Sequence, residues 1–541
     1  ENHLLAIVRN SGSIGSNKAA DINKELLFDP LTEKDRKAII IGLNNGVSNF
    51  AMSFTNSAND VKLMRELCGP NSNIICKIES PSGVKNLQEI LNFTDSILID
   101  RGDLSRSISI EKIPFLQRMI ISTSKKMNKP VFVISCPFDT YSGYGGRSRD
   151  LVKSIIELNK YDVKLLSQRW GSTSWGFCTD HPDWSFLLKH QIPNMTSQPD
   201  IWMQITIPNE FQSIGKYNIG CTAGIEATAC KPEWIKGLNR MNLNLVSSNF
   251  AKGMFESISF EEKNKQTGQK ISDIVLEKPI EVVLEGANLD IYKTIQSNNI
   301  KTINLSEIKE SFCYLAVGHW MQGEYGHDRK NMGVLVKNFF EAFKGSKKPK
   351  PALILKSSAG VASYISRQTI LDKIKEIRKT VNSNNLPNVY LITGEFSDIE
   401  MNELYNNPKV KAMVSYTKGE GFGRPLLEFS LTGKPVIASG WSGHLDFIKP
   451  DMSTLINGSL EKVHPSAAND WLIPEAQWFK IDENDGIRHL KDCFRKYKHY
   501  LNRSKLQKTF SKKNFGYKSM KEKIELISNN YIPSFPTQMN L

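Results

Sequence analysis

From residue 131 onward, short apolar runs alternate with amphipathic stretches in two successive series, and this rhythm restricts the chain to a parallel α/β architecture. The first series predicts strands over 131–135, 163–166, 201–205, 217–221, 243–246 and 280–283. The second predicts them over 312–317, 352–356, 388–392, 410–416 and 435–438. Six strands complete a doubly wound sheet, and the polar stretch 294–310 reads as a linker to the second one. Two Rossmann-like lobes so joined leave a cleft between them, where ligands are expected.

A chain of 541 residues is too long for one core. Residues 1–130 show a separate βα repetition, with strand-like runs at 47–54, 73–78 and 96–100, which makes three or four strands only. Lys-rich helical patterns occupy about 487–529. The expected domains are therefore a partial βα segment at 1–130, a first lobe at 131–300, a second lobe at 301–485 and basic C-terminal helices at 486–541.

No apolar run reaches the length needed to span a bilayer, and no secretory signal is visible at the start. Eight cysteines without a C-x-x-C pair or regular spacing fit a reduced, cytoplasmic setting. The net charge of +14 is spread along the chain among Asn and Ile residues, so a nucleic-acid partner is not expected. The basic stretches 345–350 and 495–523 instead suit weak contact with an anionic membrane surface, peripheral to the bilayer.

The chemistry concentrates in Glu420-Gly421-Phe422-Gly423-Arg424-Pro425-Leu426-Leu427-Glu428, set between a buried strand and a helix start. Carboxylates accept hydrogen bonds from vicinal hydroxyls, and Gly421 and Gly423 let main-chain N–H groups approach a ligand. A helix N-terminus beside them favours an anion such as a diphosphate. Taken alone, the pair of acids fits an ordinary strand–loop–helix connection equally well. A second Gly-rich turn, 439–444, follows the next strand and would lie on the same sheet edge, with a helical pattern over 445–448 after it. The acidic run 482–485 reads as solvated loop surface, and no metal site is expected in this part of the chain.

These elements resemble the group 1 family of retaining glycosyltransferases over about residues 131–500. The residues that carry the resemblance are the Gly-rich turn 142–149, the segments 234–255 and 283–292, Ala316-Val317-Gly318 with Arg329-Lys330-Asn331, and the Glu420-x7-Glu428 spacing. The resemblance implies an α/β protein with the two-lobed GT-B fold, preceded by a partial βα-barrel segment. It implies transfer of a hexose from a nucleotide-diphosphate sugar, with retention, to a glycan, lipid-linked or protein acceptor, and no cofactor required for transfer. By it, Glu420 faces the transferred sugar, and Lys330 and Arg329 neutralise the leaving diphosphate. Glu428 holds the ribose hydroxyls, main-chain amides around Phe422 and Gly423 line the donor pocket, and Gly145 and Gly146 let the first lobe close. The chain departs from the family at Gly318-His319, where Gly-Arg is common; His319 reads either as a phosphate contact or as a plain polar residue at a strand end. The histidine that many members carry in the first lobe is also missing between His190 and His319.

Residues 15–135 resemble the second half of the pyruvate kinase barrel, through 31–35, 76–80, 83–90 and Arg101-Gly102-Asp103-Leu104. That resemblance implies Lys77 beside an enolate and Glu79 with Asp103 holding Mg²⁺, the one place where a divalent ion is expected. Half the strands of a closed barrel and the nucleotide-binding part are missing. Besides the transferase, two further readings follow: a phosphoenolpyruvate- or pyruvate-binding, kinase-related protein, and a sugar-nucleotide-binding fusion without turnover.

Overall fold

A computed structural model describes residues 7, 9–13, 29–70, 72–126, 130–171, 173–264, 266–346 and 349–535. The chain divides into two units, Glu1–Lys129 with Pro536–Leu541, and Pro130–Phe535.

In the first unit, β1 (Asn49–Met52), β2 (Asn73–Ile78) and β3 (Ser96–Ile99) form a parallel sheet in the order β1-β2-β3. Side chains alternate across a strand, so Ile74, Cys76 and Ile78 of β2 pack with the helical residues Val61, Met64, Ile90 and Ile120, while Ile75 and Lys77 turn to the other face. Capping boxes start two of the helices, Thr32 with Asp35 and Ser57 with Asp60. A barrel closes with about eight strands, so three form an open sheet on which Leu98 stays 44% exposed.

The second unit contains two α/β lobes. The first lobe's strands are β4 (Val131–Cys136), β5 (Asp162–Ser167), β6 (Gln191–Ile192), β7 (Ile201–Ile205), β8 (Tyr217–Cys221) and β9 (Leu243–Val246). An antiparallel ribbon of β10 (Ser259–Lys263) and β11 (Lys270–Val275) precedes β12 (Ile280–Val282). The parallel sheet runs β12-β9-β8-β7-β4-β5-β6. The second lobe has β13 (Cys313–Val317), β14 (Ala352–Lys356), β15 (Val389–Ile392), β16 (Val410–Ser415), β17 (Val436–Ser439) and β18 (Thr454–Ile456), in the order β15-β14-β13-β16-β17-β18. A second ribbon, β19 (Gly458–Lys462) with β20 (Gln477–Ile481), follows.

Both sheets are covered on both faces, which is why their strands read as continuous apolar runs. Phe132, Ile134 and Cys136 of β4 face one core and Val133 the other; Tyr314 and Ala316 of β13 face one core, Cys313 and Leu315 the opposite one. The chain is thus α/β with two Rossmann-like lobes behind a partial βα-barrel segment. The ribbons, the short β6 and β18 have no counterpart in the sequence reading: β6 and β18 are only two and three residues long, and β10, β11 and β19 are largely exposed, whereas β20 buries Trp478, Phe479 and Ile481 and was missed despite its apolar side chains.

Among the described residues, no helix is long and apolar enough to cross a membrane. Helices Glu483–Arg495 and Tyr497–Asn514 pack on the second lobe through Leu490, Cys493 and Tyr500. The last helix, Tyr517–Tyr531, returns to the first lobe, burying Met520, Ile524 and Ile527. The acidic run 482–485 is not a solvated loop. Asp482 caps a helix by accepting from the N–H groups of Asn484 and Asp485, and Asp485 is buried, accepting from Asn457 N–H at 2.9 Å. The 3₁₀ turn Gly443–Asp446 stands where a helical pattern was expected over 445–448.

Candidate functional site

The Glu420 loop joins the C-terminal end of β16 to the helix Arg424–Ser430. Gly423, at φ 96°, makes the turn, and Pro425 supplies a φ suited to the first helical turn. The second Gly-rich turn buttresses the first: Ser442 Oγ accepts from Glu420 N–H at 2.9 Å, and Gly443 N–H donates to Glu420 O at 3.0 Å. Ser442 itself sits at φ 92°, a conformation nearly reserved for glycine that costs about 1–3 kcal/mol and concentrates at functional sites.

Glu420 is buried and faces two cations. Its Oε1 lies 2.5 Å from Lys330 Nζ and its Oε2 3.3 Å from Arg329 Nη1. Burial pushes the carboxyl up, but the Lys330 and Arg329 charges outweigh it and hold it at about 2. Lys330 passes under the end of β13, where a Cβ on Gly318 would meet its Cε at 3.3 Å. His319 lies beside them, its Nδ1 2.7 Å from Ser358 Oγ; burial and the Lys330 charge lower its pKa and favour the neutral ring.

Glu428, one helical turn beyond Arg424, is also buried. Its Oε1 accepts from Arg424 Nε at 2.8 Å and its Oε2 from Tyr405 Oη at 3.4 Å. Burial, partly offset by Arg424, pushes its carboxyl up to about 7. Phe422 places its ring in the core against Phe447, with centroids 4.9 Å apart, so only its main chain lies along the loop. Gly145 and Gly146 occupy the first turn of helix Gly143–Glu157, capped by Ser142 Oγ, which accepts from Gly145 N–H at 2.8 Å. A Cβ on Gly146 would stand 3.4 Å from Arg424 Nη1.

The lobes meet at this loop. Arg424 Nη1 is 2.5 Å from Asp150 Oδ2, Arg329 Nε is 2.9 Å from Glu226 Oε2, and Ser247 Oγ donates to Gly421 O at 3.0 Å. Two acids and a cation in this network, Asp150, Glu226 and Arg424, were assigned no role from the sequence. Arg424 stood in view inside the motif; Asp150 and Glu226 carry no spacing signal, since only folding brings them to the loop.

In the first unit, Lys77 ends a half-buried row of β2 and pairs with buried Glu79 and, at 3.4 Å, with Asp100, which raises its pKa. Glu79 Oε2 accepts from Phe54 N–H at 2.7 Å. Carboxylate oxygens of Glu79, Asp100 and Asp103 lie within 4.8 Å of one another, a set of hard donors that fits Mg²⁺. Asp100, the N-cap of helix Arg101–Ser107, is the member that the sequence reading did not single out.

Residues 1–140 match the family model described as pyruvate kinase, barrel domain. Pyruvate kinase of Sporosarcina psychrophila is 38% identical over 143 residues, 26% of this chain and 24% of the relative. That of Geobacillus stearothermophilus is 32% identical over 204 residues, 36% of this chain and 33% of the relative. The chain spans about a quarter to a third of the length of these curated relatives. The match runs past β4, yet β4 is built into the first lobe's sheet between β5 and β7. Among solved structures, Anabaena HepE in complex with UDP and glucose is similar with a TM-score of 0.49 and 13% identity, over 74% of this chain and 100% of that one. Sucrose-phosphate synthase from Thermosynechococcus elongatus gives a TM-score of 0.49 and 11% identity, over 74% and 98%.

Proposed function

We propose that residues 130–535 transfer a hexose from a nucleotide-diphosphate sugar to an acceptor with retention at the anomeric carbon, and need no metal for that step. The observation that carries the reading is the Lys330–Glu420–Arg329 cluster at the ends of parallel strands β13 and β16, where open α/β sheets bind ligands. Lys330 has three N–H donors, so it can keep Glu420 and still reach a phosphate oxygen. Its charge and that of Arg329 would stabilise the departing diphosphate most strongly when the sugar–oxygen bond breaks. Glu420 would then accept hydrogen bonds from the sugar, and Glu428 from the ribose. Neutral His319 would add a hydrogen bond rather than a charge.

A panel of sugar nucleotides tests this directly, because a ligand bound only by the native state raises the melting temperature. With the stabilising donor in hand, Lys330→Ala should lower turnover far more than donor affinity, since the charge it meets grows in the transition state. Normal turnover in that variant would remove Lys330 from the mechanism.

A second reading belongs to the first unit. The convergence of Glu79, Asp100 and Asp103 beside Lys77 supports binding of Mg²⁺ and a small carboxylate such as pyruvate or phosphoenolpyruvate. The ion would supply charge to orient a carboxylate or enolate oxygen, with Lys77 donating to the same ligand. The helix Tyr497–Asn514, with six Lys or Arg residues and no acid, would serve weak contact with an anionic lipid surface.

A further inference from the structure

We propose that a pocket between the two lobes, away from the Glu420 cluster, is an acceptor subsite for a neutral saccharide of several rings. This rests on the transfer reading above and narrows its acceptor to a glycan.

The pocket, open to solvent on one side, offers about 690 Å³ and is lined by Glu210, Lys231, Glu233, Arg240, Asp470 and Trp471 among others. Its first-lobe wall is the turn after β7, Ile207 to Glu210, and the outer side of helix Pro232–Asn239 from Lys231 at its start to Arg240 at its end. Its second-lobe wall is the loop between β19 and β20, where Asn469 Oδ1 accepts from the N–H groups of Trp471 and Leu472 at 3.0 and 2.9 Å and so fixes the loop. Lys231 Nζ stands 3.7 Å from Asp470 Oδ1 across the mouth of the pocket, a solvent-exposed pair.

Two properties of the lining define the ligand. The Trp471 indole is 51% exposed, an apolar plate at the edge of a polar pocket. A pyranose ring has one face of C–H groups that covers such a plate, while its hydroxyls reach outward to carboxylates and cations. The lining holds three acids, Glu210, Glu233 and Asp470, against three bases, Lys231, Lys236 and Arg240, so it presents no net charge. A site built for a phosphorylated sugar or an acidic lipid headgroup would carry an excess of cations. The lining fits a neutral polyol.

The pocket also connects to the proposed reaction centre. Glu226, which pairs with Arg329, and Lys231, which lines the pocket, are ends of one segment, and five residues span at most about 17 Å. A saccharide of several rings is long enough to cover that interval.

The 541-residue chain should bind at least one of maltotriose, cellotriose and laminaritriose, read by calorimetry and by tryptophan fluorescence. Trp471→Ala should weaken that binding by about tenfold, as loss of a stacked aromatic contact does. The melting temperature, and its rise with the stabilising sugar nucleotide, should stay unchanged, because the side chain is exposed. Glu233→Gln should repeat the loss. Binding of none of the three trisaccharides, or equal binding by Trp471→Ala, overturns the proposal; so does binding to phosphatidylglycerol vesicles that Trp471→Ala abolishes. Failure of every sugar nucleotide to raise the melting temperature would instead count against the donor reading, with the trisaccharide result standing apart from it.

Discussion

Replacing Gly419 by alanine drives a methyl group into the junction between the lobes. A Cβ at that position would stand 1.9 Å from Glu226 O, whereas ordinary contact begins at 3.4 Å. The obstacle is main chain and cannot rotate away, so the lobes must part there by about 1.5 Å, and overpacking of this kind costs about 1–3 kcal/mol. The same movement stretches the 2.9 Å pair between Arg329 Nε and Glu226 Oε2 and leaves Arg329 with Glu420 as its remaining carboxylate beside the Gly419 carbonyl. For a unit of this size the melting temperature should fall by about 1–4 °C. Turnover with an identified donor should fall by about a hundredfold, because a displacement of roughly 1 Å between reacting groups costs that much. Donor affinity should change far less, since Lys330, Glu420 and Glu428 all belong to the second lobe. Gly253→Ala is the control: it lies in the helix Asn249–Ser257 with nothing within 4 Å of a new Cβ, and it should gain about 0.5–1 kcal/mol. Calorimetry, single-turnover kinetics and a crystal structure of Gly419→Ala provide the assays. Wild-type melting with the Arg329–Glu226 pair still at 2.9 Å would refute the argument that the lobes are in contact at this loop.

Three further outcomes are expected. The Glu403 carboxylate accepts from the N–H groups of Lys301, Thr302 and Ile303 and from the Thr302 hydroxyl, which overcome burial and hold it at about 2. Its stabilisation is present above the ordinary pKa of 4.5 and is lost as pH falls toward 2, so Glu403→Gln should cost about 1.5–3 kcal/mol at pH 7 and much less near pH 3, by melting in both buffers. Glu428 shifts the opposite way: raised to about 7, it favours the folded state below 4.5 and loses that contribution as pH climbs to 7, so the stability of Glu428→Gln relative to wild type should improve over that interval, and a flat difference would remove the shift. In the first unit, Mn²⁺ or Mg²⁺ titrated into the full chain should bind with an affinity that Asp103→Asn reduces at least about tenfold; equal affinity would discard the cluster as a cation site.

The sequence by itself determined the alternation of apolar strands and helices, because burial on both faces demands runs such as those of β4 and β13 wherever a parallel sheet is covered by helices. It also determined that Glu420 and Glu428 bracket one strand–loop–helix turn, since local spacing and the Gly-Phe-Gly between them set that geometry without reference to the rest of the chain. Arg424 reaches Glu428 across one helical turn, but the Lys330 and Arg329 contacts of Glu420 were decided by tertiary structure alone. Asp150 and Arg424 lie 274 positions apart, and Glu226 and Arg329 come from different lobes; no period or spacing encodes such pairs, because they form only when two separately folded sheets meet. The placement of β4 in the first lobe followed from the apolar series that begins at residue 131, although the family match runs past it, and the hydrogen-bond ladder puts it there. A strand takes its place from the neighbours that satisfy its N–H and C=O groups, and those neighbours, β5 and β7, follow it in the chain.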